Sequence, residues 1–139
     1  MSTSRRSARP DQRALILVVE RNPMVARLER FFLEQAGFSV EFTSDGISAL
    51  ARAKELRPKI VVTEILVPKL DGLSLCRAIK SDPLTKEILV MIFSHLHAED
   101  RATEAGADAF LTKPLNEELL IETLEKLLAM RLRSAGEAS

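Results

Sequence analysis

Charged and polar side chains stand directly after four apolar segments of this sequence. In chain order they are Glu20 and Arg21, Glu64, Ser94 and His95, and Lys113. If the apolar segments are parallel strands of one sheet, these groups meet at its carboxyl edge, where open α/β sheets bind ligands. Two carboxylates, a guanidinium, a hydroxyl and an ammonium at one edge therefore predict a binding site for a charged ligand.

Other kinds of chemistry find little support. The glycine patterns that cradle phosphate groups are absent from all five predicted strand-to-helix turns, which argues against a nucleotide-dependent enzyme. Ser94 shares one loop with His95 and His97, so no Ser-His-Asp arrangement is formed. The two histidines also lack a third ligand at metal-binding spacing. Cys76 has the spacing of a core residue and is expected to be buried. We therefore expect no enzymatic activity.

Five segments of the chain have the patterns of β-strands. Three of them, Leu15–Val19, Ile60–Val62 and Ile88–Phe93, are continuously apolar. This is typical of strands covered on both faces. The segment Ser39–Thr43 alternates, and Ala109–Leu111 is short, so these two are expected at the sheet edges. The order 2-1-3-4-5 satisfies both conditions and belongs to the flavodoxin-like, doubly wound α/β fold.

Amphipathic segments separate the predicted strands and predict five helices on both faces of the parallel sheet. The first helix begins at Asn22-Pro23 and ends at Gly37. Asn22 suits the N-cap and Pro23 the first turn. Met24, Leu28, Phe31/Phe32 and Gln35/Ala36 recur at helical spacing along this helix.

Residues 14–133 are predicted to form one domain, between flexible tails at 1–13 and 134–139. Lysine and arginine number 20, as do aspartate and glutamate. Because this balance creates no strong overall field, neither nucleic acid nor a membrane is an expected partner. A single cysteine fits a reducing compartment, and no apolar segment approaches the ~20 residues that span a bilayer. The sequence thus predicts a cytoplasmic protein.

Several segments resemble the receiver domain of response regulators in two-component phosphorelays. They are Leu17–Pro23, Ile60–Gly72, Ser94 and Gly106–Pro114. The resemblance extends from about residue 15 to residue 128. In that family an acidic pair after the first strand holds Mg²⁺, and an aspartate at the end of the third strand accepts a phosphoryl group from a histidine kinase. A Ser or Thr and a lysine contact the phosphoryl oxygens.

The resemblance transfers only in part to this chain. Ser94 and Lys113 match the phosphoryl-contacting residues, and Phe110 matches an aromatic switch position. Glu64 falls on the phosphoacceptor, while Glu20 and Arg21 fall on the acidic pair.

Two substitutions make this site degenerate. Arg21 replaces a carboxylate, although Mg²⁺ prefers oxygen ligands, so we expect no functional metal site and keep Glu20 and Glu64 only as residual candidates. Glu64 is one methylene longer than aspartate, and a displacement of about 1 Å can reduce a position-dependent rate ~100-fold. We expect Arg21 to be able to bridge Glu64, with Lys113 nearby.

The leading hypothesis is a pseudo-receiver that signals by protein–protein interaction with a histidine kinase or a downstream effector. Its pocket would be locked in one state or unable to switch, and no cofactor is expected. One alternative is a functional phosphoacceptor that uses Mg²⁺, and another is a flavodoxin-like binding protein outside signalling. Eleven residues separate Ser94 from Gly106. The family has about three more there, which predicts a short fourth helix and a monomer or atypical dimer.

Overall fold

The computed structural model describes residues 14–138, without the side chains of 132–138. The elements are β1 Leu15–Val19, α1 Pro23–Gln35, β2 Ser39–Thr43, α2 Gly46–Leu56, β3 Ile60–Thr63, α3 Gly72–Ser81, β4 Leu89–Ser94, α4 Glu99–Glu104, β5 Ala109–Thr112 and α5 Glu117–Ala138. The tail predicted at residues 1–13 lies outside the described residues, as does Ser139.

The five strands form one parallel sheet in the order β2-β1-β3-β4-β5, which confirms the predicted topology. The continuously apolar strands β1, β3 and β4 occupy the centre, and their residues are almost entirely buried. The alternating strand β2 and the short strand β5 lie at the edges. All five strands therefore end on the same edge of the sheet, where their polar residues can meet.

Side chains that alternate along each strand supply two separate cores, one on each face of the sheet. Leu17 and Val61 pack on one face with residues of α2 and α3, including Leu75. Val18 and Val62 pack on the opposite face with residues of α1 and α5; the buried helix residues there include Leu33, Leu120 and Leu124. The fold is thus doubly wound, as predicted.

The buried face of α1 differs from the prediction. Met24, Leu28 and Phe31 are 61%, 44% and 56% exposed, whereas the buried residues of α1 are Glu29 and Leu33. The predicted spacing was therefore wrong for Met24, Leu28 and Phe31, whereas Phe32 is half-buried and Ala36 packs against the core. Contacts at the start of α1 help to set its orientation, because the residue that caps it, Asn22, is itself tied to the end of β1.

Helix α4 is as short as predicted, whereas helix α5 is longer than predicted. Helix α4 spans only six residues, so the predicted short fourth helix is confirmed. Helix α5 continues to Ala138, past residue 133, where the sequence predicts a tail. Residues 134–138 contain no proline, so nothing of that kind ends the helix at residue 133.

Candidate functional site

Four of the predicted site residues converge at the carboxyl edge of the sheet. Glu20 follows β1, Glu64 follows β3, Ser94 ends β4 and Lys113 follows β5. Their exposed fractions are 5%, 6%, 0% and 7%, so the cluster is almost fully enclosed. Charged side chains are seldom buried unless they are paired. The contacts within the cluster therefore decide what it can bind.

Lys113 bridges the two carboxylates. Its Nζ lies 2.6 Å from Oε1 of Glu20 and 2.9 Å from Oε2 of Glu64. It also lies 5.4 Å from the centre of the Phe93 ring. Burial lowers the pKa of Lys113, but its hydrogen bonds to both carboxylates outweigh burial and raise that pKa above its ordinary value. Lys113 is thus a fixed positive charge inside the pocket.

The second oxygen of Glu64 is also engaged. Oε1 accepts hydrogen bonds from the hydroxyl of Ser94 and, at 2.7 Å, from the backbone N–H of Ile65. Burial raises the pKa of Glu64, but the hydrogen bonds from Ser94 and Lys113 outweigh it and hold that pKa below its ordinary value. Glu64 is therefore an ionised carboxylate whose two oxygens both have partners.

Glu20 connects this cluster to the start of α1. Its Oε1 contacts Lys113, and its Oε2 accepts a hydrogen bond from the backbone N–H of Asn22 at 3.1 Å. The side chain of Asn22 in turn accepts from the backbone N–H of Met24 at 2.9 Å, which caps α1 as the sequence predicts. A short chain of contacts therefore connects the pocket to the start of α1.

Arg21 does not join the cluster. Its side chain is exposed and forms no ion pair with Glu64, so the expected bridge between them is wrong. Successive side chains of an extended segment point to opposite sides, and Glu20 takes the inward position. Lys113 therefore supplies the positive charge that the sequence interpretation assigned to Arg21.

Phe110 and the two histidines lie away from the four-residue cluster. Phe110 pairs in register with Ile92 and is half-buried against the core beneath α2 and α3. His95 and His97 are exposed on the loop after β4. Across residues 14–138, no group of three or more His, Cys, Asp or Glu side chains is arranged to hold a metal ion.

Glu29 is a buried acidic residue near the cluster that the sequence interpretation missed. It is 1% exposed, and its Oε1 has no hydrogen-bond partner. Burial raises the pKa of Glu29 to about 8; the charges of Glu20 and Glu64 act in the same direction, while Lys113 opposes them. Its position four residues before Leu33, on one side of a helix, was the signal that could have revealed it.

Gly72 fixes the segment that follows Glu64. A Cβ atom at this position would collide with the backbone carbonyl oxygen of Glu64 and lie 2.9 Å from Cα of Ile65. Asp71 caps α3 by accepting a hydrogen bond from the backbone N–H of Ser74 at 2.9 Å. The start of α3 is thus packed directly against the acceptor position, which only glycine permits.

Comparisons with known proteins identify the family. A family model described as the response regulator receiver domain matches residues 16–125. The chain belongs to this family. It is 32% identical over 116 residues to the DNA-binding dual master transcriptional regulator RpaA of Synechocystis, covering 81% of this chain and 48% of that protein. It is also 29% identical to the polar-differentiation response regulator DivK of Brucella anthropi, and the match covers 81% of this chain and 94% of that protein.

Solved receiver structures show the same fold. The signal receiver domain of a histidine kinase from Syntrophus aciditrophicus has a TM-score of 0.78 and 32% identity, with 84% of this chain and 90% of that chain covered. The receiver domain of a Pseudomonas aeruginosa sensor kinase, which holds a magnesium ion in its active-site cleft, has a TM-score of 0.79 and 24% identity. That match covers 84% of this chain and 98% of the other chain. The present chain spans about half the length or less of curated relatives such as RpaA.

Receiver domains are signalling modules of two-component systems. As a member of this family, the chain has that general role. No helix within residues 14–138 is both long enough and apolar enough to cross a membrane.

Proposed function

We propose that this receiver domain signals through protein–protein contacts without being phosphorylated and without Mg²⁺. The observation that supports the proposal is the position of Lys113, whose ammonium lies between the carboxylates of Glu20 and Glu64. In this arrangement the protein itself supplies the positive charge of the pocket. The pocket is then a structural element that holds the strand ends together, and the domain has no catalytic role.

The donor set does not suit Mg²⁺. The ion needs near-octahedral oxygen ligands, whereas Arg21 supplies no carboxylate and both remaining carboxylates already contact Lys113. A divalent cation that approached Glu20 and Glu64 would also meet the positive charge of Lys113 at a few ångströms. At an effective dielectric constant near 20, even two unit charges at 4 Å repel by about 4 kcal/mol.

The acceptor carboxylate is equally unsuited to phosphoryl transfer. Both oxygens of Glu64 are engaged, one by Lys113 and the other by Ser94 and a backbone N–H. An attack on a phosphodonor would have to break at least one of these contacts. Phosphoryl transfer also depends on metal ions to neutralise the charge that develops on the phosphoryl group. The engaged oxygens of Glu64 and the unsuitable metal ligands both support a domain that acts without being phosphorylated.

The partners that fit this role are signalling proteins, either a histidine kinase or a downstream effector. Because the ammonium already occupies the position between the carboxylates, we infer that the pocket stays in a single state. The short helix α4 changes one outer surface of the domain and supports a monomer or an atypical dimer.

The proposal is tested by using the intact chain as bait before and after treatment with acetyl phosphate and Mg²⁺. The captured proteins are quantified by mass spectrometry, and Glu64→Ala serves as the matched bait. We expect the same proteins in the same amounts from treated and untreated wild type. A partner captured only after treatment, and lost with Glu64→Ala, would instead support the functional phosphoacceptor, which the shared position of Glu64, Ser94 and Lys113 favours.

A further inference from the structure

Glu29 is an acidic side chain that the proposed function leaves unexplained. It projects from α1 into the core on the α1/α5 face of the sheet and is 1% exposed. Its Oε1 is without a hydrogen-bond partner. An ionised carboxylate in such a position would lose the hydration of this oxygen without receiving a compensating hydrogen bond, which is unfavourable. A protonated carboxyl avoids most of this cost.

The charges around Glu29 reinforce the preference for the protonated form. Glu20 and Glu64, from the ends of β1 and β3, are acidic, and Lys113, from the end of β5, is the basic side chain among them. Lys113 is already bound to both of the other carboxylates and offsets only one of their two charges. Ionised Glu29 would thus leave two negative charges without compensation in a buried pocket.

Among the side chains that the structure describes, those that α5 buries beside α1 include no positive charge. Helix α5 shares this face with α1, and the side chains that its described part buries there are apolar, with Leu120 and Leu124 among them. On α1 itself, Arg27 is exposed, and Arg30 is half-exposed; its guanidinium pairs with Glu34 and lies 4.7 Å from the centre of the Phe42 ring. Glu29 is therefore surrounded by apolar groups and by a cluster with an excess of negative charge.

We propose that Glu29 is a proton-binding site, and that release of its proton weakens the packing of α1 against the sheet. The observations that carry the proposal are its burial, its unpartnered oxygen and the three charged strand ends beside it. The proposal is independent of whether Glu64 accepts a phosphoryl group, because it concerns a different carboxyl and a different ligand.

The direction of the pH effect follows from the raised pKa of Glu29. Its pKa is about 8 in the folded protein, against an ordinary value of 4.5 for glutamate. Between these values the folded protein binds one proton more than the unfolded chain, so stability is greatest at the acidic end and declines as pH rises. The folding equilibrium constant should fall by up to about tenfold per pH unit across this interval and level off above it.

The first test follows urea unfolding of the full chain from pH 5 to pH 9. Wild type should lose stability steadily, whereas Glu29→Gln and Glu29→Leu should remove most of this slope. Glu34→Gln is the matched control, because Glu34 lies on the same helix but is half-exposed, and it should retain the slope. A combined His95→Gln and His97→Gln variant is a second control and should also retain the slope.

A second test observes the proton of Glu29 directly in the wild-type protein. Carbon-13 NMR of glutamate carboxyl groups in wild type should show one group that titrates several pH units above the others, and Glu29→Gln should lack that signal. Hydrogen exchange, corrected for its intrinsic pH dependence, should show that α1 amides lose protection relative to α3 amides as the pH rises. A carboxyl signal for Glu29 that titrates near pH 4.5, or an unchanged stability slope in Glu29→Gln, would overturn the proposal.

Discussion

Lys113 determines the charge balance of the pocket at the scale of single residues. One ammonium holds two carboxylates, Glu20 at 2.6 Å and Glu64 at 2.9 Å, in a space that solvent barely reaches. Buried ion pairs add little net stability when complete, but removal of one partner leaves an uncompensated charge that is costly. Lys113 is shared by both pairs, so its loss affects both carboxylates at once.

Lys113→Ala should therefore destabilise the domain by about 3–5 kcal/mol, as measured by urea unfolding at pH 7. Lys86→Ala is the matched control, because Lys86 is exposed, and its effect should stay within about 0.5 kcal/mol. A Lys113→Ala variant as stable as the control would show that the buried bridge is not formed in solution.

The sequence was sufficient to place Glu20, Glu64, Ser94 and Lys113 at one edge, because each follows an apolar strand. It did not determine which cation pairs with Glu64. That choice depends on side-chain direction at the strand ends, where Glu20 points inward and Arg21 outward. Glu29 was missed because the more conspicuous apolar spacing on α1 belongs to the exposed side of that helix.

Helix α1 shows the largest difference between pattern and structure at the scale of elements. Both sides of α1 carry apolar residues, so spacing alone did not select the buried one. Leu33, which is 1% exposed, lies on the packed side, while Leu28, which is 44% exposed, lies on the outer side. Strand order was easier to predict, since only continuously apolar strands can occupy the centre of a parallel sheet.

Leu33→Ala should cost about 2–5 kcal/mol because it creates a cavity in a packed core. Leu28→Ala makes the same chemical change on the same helix but should cost less than about 1 kcal/mol, since Leu28 is nearly half exposed. Urea unfolding of the two variants gives the comparison. Equal losses, or a larger loss for Leu28→Ala, would contradict the assigned face of α1.

Gly72→Ala should disturb the contact between α3 and the end of β3. The added methyl group would meet the backbone of Glu64 and Ile65, so the start of α3 must move. We expect a loss of about 1–3 kcal/mol in urea unfolding, the usual range for overpacking. Ser74→Ala is the companion substitution on the same helix; it should cost less because Ser74 is not fully buried and its backbone cap remains. A Gly72→Ala variant of wild-type stability would argue against this close packing.

The pH dependence of stability belongs to the whole molecule, because several groups contribute to it. The pKa values of Glu64 and Asp71 are held below their ordinary values, so their stabilising contribution is present above those values and is lost as pH falls. The raised pKa of Glu29 has the opposite effect and reduces stability as pH rises toward 8. Together the two trends predict that the free energy of unfolding is greatest at pH ~5.

Urea unfolding across pH 3–9 should therefore show a peak, with Glu29→Gln flattening the alkaline side and leaving the acidic side. Glu64→Gln should reduce the acidic slope, because the variant lacks the carboxylate that must be protonated. A stability profile that rises continuously to pH 8 in wild type would contradict these assignments.

The chain has the five-stranded receiver fold, and in its pocket Lys113 lies between the carboxylates of Glu20 and Glu64. The central claim is that this pocket does not accept a phosphoryl group. The most direct test is intact-protein mass spectrometry after incubation with acetyl phosphate and Mg²⁺, with the combined Arg21→Asp and Glu64→Asp variant as comparison. We predict no phosphoryl adduct on wild type and an adduct on the variant with the restored carboxylates. A Mg²⁺-dependent adduct on wild type that maps to Glu64 would contradict the claim.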